Sequence, residues 1–75
     1  MNYTQDNNIV VFHNEAQWPR ELKKKFEELL KIYRVIIFPG NEYYVGRLPW
    51  PWEHEFLTRA DELIEDYKIK HGLNT

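Results

Sequence analysis

The stretch VIIFPGNEYYVGR, residues 35–47, decides how this chain is read. Val35 to Phe38 is a short apolar run, Pro39-Gly40 stops it, and extended character resumes from Tyr43 to Arg47. Proline at the second position of a turn fixes φ, and glycine at the third accepts positive φ, so a type II turn is expected. The stretch therefore reads as a β-hairpin with the loop PGNE.

On its N-terminal side, Leu22, Phe26, Leu29, Leu30 and Tyr33 recur at the helical period, and Trp18 extends the stripe by a turn. Pro19 suits the first helical position, where no backbone N–H is needed. Glu21 with Lys25 and Glu27 with Lys31 place acid four residues before base, each pair worth about 0.2–0.5 kcal/mol. Earlier still, Asn8 to His13 is β-branched and aromatic and reads as a strand, while the polar residues 1–7 read as a flexible tail. On the C-terminal side, Pro49 and Pro51 end sheet pairing. Pro51 is expected to open a second helix buried through Phe56, Ala60, Leu63, Ile64 and Tyr67, with Gly72 as its left-handed cap and Leu73 packed back on Tyr67.

The expected fold is thus an α+β two-layer β-α-β-β-α domain over residues 8–75, a three-stranded sheet with two helices packed on one face. Strand order 1-3-2 or 1-2-3 satisfies the pattern equally. In such a sheet Ile9 and Val11 oppose Val10 and Phe12, Ile36 and Phe38 oppose Val35 and Ile37, and Tyr44 opposes Tyr43 and Val45. Both faces carry apolar side chains, and two helices on one face leave the other uncovered, which marks an interaction site.

A chain of 75 residues buries only roughly 60% of the surface its unfolded form exposes. There is no cysteine to staple it, so the aromatic residues, 16% of the chain, are expected to fill the core. The N-terminus MNYTQDNN has neither a basic nor an apolar signal region, and no apolar run approaches a membrane span, so a cytoplasmic protein is expected. Net charge is −2, but Arg20 to Arg34 carries six basic and three acidic residues, and Trp52 to His71 six acidic and three basic. The Asn-, Lys- and Ile-rich usage suits an AT-rich bacterial or phage genome.

Chemistry is sparse. His13, His54 and His71 are scattered, and His54-Glu55 lacks the second histidine of a zincin helix, so no metal or other cofactor is expected. With no serine and only Thr4, Thr58 and Thr75 as aliphatic hydroxyls, a hydrolytic triad is excluded. Glu53 and Glu55 flank His54, yet a two-layer domain of this size offers no obvious cleft for acid–base work. Single-stranded nucleic acid is the alternative partner, through Phe38, Tyr43 or Tyr44, Arg47 and the basic helix residues Lys23, Lys24, Lys25 and Lys31.

A protein partner or self-association as a homodimer accounts for more of the sequence. Trp50 and Trp52, stiffened by Pro49 and Pro51, are suited to docking at low entropic cost. The expected protein-binding residues are Phe38, Tyr44, Trp50, Trp52, Glu55, Asp61, Glu62 and Glu65, in a small non-enzymatic regulator or inhibitor. At least one of the two tryptophans is expected to cap the core.

Overall fold

The computed structural model describes residues 2–41 and 43–71. Its elements are β1 (Tyr3–Gln5), β2 (Ile9–Phe12), a short 3-10 turn (Glu15–Gln17), α1 (Arg20–Ile32), β3 (Tyr44–Gly46) and α2 (Trp52–His71). The three strands form an antiparallel sheet in the order β1-β2-β3, and with two helices the fold is α+β as expected.

The membership of the sheet differs from expectation at both edges. Residues 3–5, read as part of a flexible tail, pair with β2 in the register Tyr3 to Phe12, Thr4 to Val11 and Gln5 to Val10. Asp6-Asn7-Asn8 makes the turn between them: the Asp6 amide donates to the Ile9 carbonyl at 2.8 Å, and the Asn7 amide to the Asp6 side chain at 2.8 Å. The expected strand Val35–Phe38 keeps only one bridge, Ile37 to Val45, flanked by bonds from Gly46 N to Ile36 O and from Phe38 N to Tyr44 O. Its two ends explain the truncation. The Val35 amide is spent on the Leu30 carbonyl at the end of α1, and Pro39 has no amide to give. Of the two strand orders, 1-3-2 is the one found, since β3 lies between β2 and residues 36–38.

The turn at Pro39-Gly40 forms as read: Gly40 has φ of 87° and the Asn41 amide donates to the Phe38 carbonyl at 3.3 Å. Glu42, Gly72 and Leu73 lie outside the described residues, and with them the expected end of the PGNE loop and the expected helix cap. Both helices begin one residue later than read, after Pro19 and Pro51. The Pro51 carbonyl accepts from Glu55 N at 3.2 Å, which makes it the lead-in to the helix.

The core lies between the sheet and the two helices, around Phe12. Its ring meets Tyr3 at 5.8 Å, Phe26 of α1 at 4.7 Å, Phe56 of α2 at 6.2 Å and Trp18 at 6.5 Å. Because residues from both helices reach the same ring, both helices cover the same face. Val10, Val45 and Tyr43 complete the sheet side, and Leu22, Leu30, Leu57, Ala60, Ile64 and Tyr67 the helix side. Leu57 was not part of the expected stripe; Leu63 takes only a half-buried place beside it.

Asn2 secures the N-terminal strand to α2. Its buried side-chain amide donates to Asp61 at 2.8 Å and to Glu65 at 2.9 Å and accepts from Lys68, while its backbone carbonyl receives the His13 amide. Asn2→Ala removes the side-chain bonds, leaving Asp61 without its donor and Glu65 with Lys68 alone, at an expected cost of about 1–2 kcal/mol. Urea denaturation at neutral pH measures it, and an unchanged midpoint would show that the Asn2 side-chain bonds add nothing to stability.

Candidate functional site

The loop between β3 and α2 is tied down from beneath by Glu53. Its carboxylate takes the Arg47 guanidinium in a fork, Nε to Oε2 at 2.6 Å and Nη2 to Oε1 at 2.7 Å, the Leu48 amide at 3.1 Å and the Gln5 side chain at 3.1 Å. Arg47 also donates to the Asp6 carbonyl. One buried carboxylate thereby joins the start of α2, the end of β3 and the end of β1. The hydrogen bond from Arg47 is the main reason that the Glu53 carboxyl sits below the usual carboxylate range, with Leu48 and Gln5 adding to it and burial opposing it. Reciprocally, the bond to Glu53 raises the Arg47 guanidinium. Sequence reasoning placed Glu53 beside His54 among the acid–base candidates and Arg47 among nucleic-acid ligands. The spacing Arg47…Glu53 across two prolines was the available signal.

Above this clamp the loop and the first residue of α2 present aromatic side chains to solvent. Trp50 is 74% exposed and Trp52 57% exposed, whereas Trp18 is only 6% exposed. Neither loop tryptophan caps the core, contrary to expectation. Trp18 already occupies that role, between Phe26 at 5.2 Å and Tyr43 at 5.3 Å. The Trp50 ring lies against the exposed His54 ring, at 5.1 Å between centroids.

The second feature is the sheet face opposite the helices. The pairing register puts Ile9, Gly46 and Ile36 in one row and Thr4, Val11, Tyr44 and Phe38 in the next. Ile9, Val11 and Phe38 are half-buried by their neighbours, and Tyr44 and Ile36 are exposed, Ile36 at 70%. No described helix covers these rows.

The acidic residues of α2 divide into two groups. Asp61 and Glu65 are held by Asn2, whose hydrogen bond chiefly lowers the Glu65 carboxyl, helped by Lys68. They take part in an internal fastening of the N-terminal segment to α2. Glu55 and Glu62 are exposed, and Glu55 lies 3.7 Å from Arg59. His13 contacts Thr4, and His71 stacks on Tyr67 at 5.5 Å. Among the described residues no three His, Asp or Glu side chains converge on a point where a metal ion would sit. No helix among them is long and apolar enough to cross a membrane.

Comparison of the chain with family models, curated proteins and solved structures found no match.

Proposed function

We propose that this protein is a small non-enzymatic binding module that docks on another protein through Trp50 and Trp52, with the uncovered apolar sheet face around Tyr44, Phe38 and Ile36 as a secondary contact. The observation that carries the reading is the exposure of two large rings at the junction of the loop and α2, anchored by a partly buried ion pair. Exposed tryptophan on a fixed backbone loses little entropy on docking and forms hot spots in interfaces. The engagement of Arg47 by Glu53 and Asp6 argues against the nucleic-acid alternative, because its guanidinium is already committed. A regulator or inhibitor of a larger partner is the role that fits a domain of this size.

The double variant Trp50→Ala, Trp52→Ala tests this. Neither ring is in the core, so its melting temperature is expected to stay within a few degrees of the parent. Affinity for the partner is expected to fall by about 30-fold or more, the loss of a hot spot of about 2 kcal/mol. A folded double variant that retains the partner at parental affinity contradicts the proposal.

A further inference from the structure

Between the solvent sides of α1 and α2 runs a trough. Its upper part, about 430 Å³, is lined by Ile32, Tyr33 and Arg34 on one side and Trp52, Glu55 and Arg59 on the other. A lower part of about 300 Å³ shares Ile32 and Arg59 and adds Lys25, Glu28, Leu29 and Leu63. Ile32 is 64% exposed, although it ends a helix whose other large apolar residues are buried or half-buried. Leu29, Ile32 and Leu63 give it an apolar strip between charged walls.

Arg34 is the residue out of place. It follows α1 with φ of 52°, while the next amide, Val35 N, closes on the Leu30 carbonyl at 2.9 Å. This is the left-handed position after a helix that glycine usually fills, and a residue with a side chain is disfavoured there. Its guanidinium is exposed and makes no ion pair or side-chain hydrogen bond among the described residues. Arg59, across the trough, lies over the Tyr33 ring at 5.9 Å and is paired with Glu55 only at 3.7 Å.

We infer that this trough seats an amphipathic helix of a protein partner, its apolar stripe on Leu29, Ile32, Leu63 and Trp52 and a carboxylate reaching Arg34 and Arg59. The inference rests on the protein-binding reading above and names the kind of partner. A cleft between two packed helices accepts a third helix along its length. The guanidinium groups of Arg34 and Arg59, both in the upper part, select an acidic flank, for which bidentate arginine is the fitting donor. Glu55 in the wall and Glu62 on the same helix repel a continuous phosphate chain. A second copy of the protein has no free helix to offer, since the apolar stripes of α1 and α2 are already buried against the sheet.

A phage-displayed library of amphipathic helical peptides, panned on the intact protein, tests the inference. Enriched peptides are expected to carry Asp or Glu beside the apolar stripe. Their affinity is expected to drop about tenfold or more for Arg34→Gly and for Arg59→Gln, the loss of one charge-assisted bond. Arg34→Gly relieves the left-handed strain, so its melting temperature is expected to equal or exceed the parent's, which separates lost binding from lost folding. Enrichment of basic peptides, equal affinity for Arg34→Gly, no enrichment, a concentration-dependent dimer that occupies the trough, or oligonucleotide binding lost in the same variants would each overturn it. If Trp50→Ala, Trp52→Ala loses the native partner while Arg34→Gly keeps it, the trough assignment falls and the binding function stands.

Discussion

Phe12→Ala is expected to remove much of the protein's stability. The ring is fully buried and meets aromatic rings from β1, α1, α2 and the segment before α1. Truncating a core phenylalanine costs about 3–5 kcal/mol through lost transfer energy and the cavity left behind. A domain of this size has a total stability of about 4–11 kcal/mol, so the change removes much of it. Phe38→Ala serves as the control. Phe38 is only half-buried and lies on the uncovered face, so its loss is expected to cost no more than about 1 kcal/mol. Equilibrium denaturation of both variants reads the difference directly; equal costs would mean that the helices cover the other face of the sheet.

Glu53→Ala is the second large effect, and it acts through polarity. The variant leaves the Arg47 guanidinium without its fork and the Leu48 amide and Gln5 side chain without an acceptor. With Glu53 buried and Arg47 partly exposed, the expected cost is about 2–3 kcal/mol, below the range for a fully buried pair. In a chain of this length that lowers the melting temperature by roughly 10–20 °C. The same clamp sets an acid limit. Because the folded carboxyl titrates below its unfolded value, its contribution is complete above the unfolded value of about 4.3 and is lost as pH falls through the lower folded one. The parent is therefore expected to weaken below about pH 4.3. Glu53→Gln is expected to lose part of that acid dependence while keeping the loop's shape, and an unchanged pH profile would show that Glu53 does not carry it.

Much of the scaffold was legible because long periodic segments report on themselves. The stripe from Leu22 to Tyr33 and the run from Phe56 to Tyr67 each repeat the helical period over several turns, and Pro39-Gly40 named its own turn type. The N-terminal strand was missed because Tyr3-Thr4-Gln5 is too short for a period to show. The turn residues Asp6-Asn7-Asn8 were the available signal, and they were absorbed into a polar tail. Val35–Phe38 was overread for the opposite reason: its composition is that of a strand, but the demands of the helix end and of Pro39 limit its pairing to one bridge. At the site, rigidity of the Trp-Pro segment could be argued from the prolines, but exposure could not. Three tryptophans compete for one small core, and only the packing decides that Trp18 enters it. The roles of Asn2, Arg47 and Glu53 depend on contacts between residues distant in the chain, which local pattern does not reach.

The proposed docking surface is the tryptophan segment, and photo-crosslinking in the native cell tests that assignment most directly. A photoreactive phenylalanine analogue in place of Trp52 is expected to give one dominant adduct of defined mass, absent when the same group replaces the exposed Lys24 on α1. No adduct at position 52, or the same adducts from both positions, would contradict the claim.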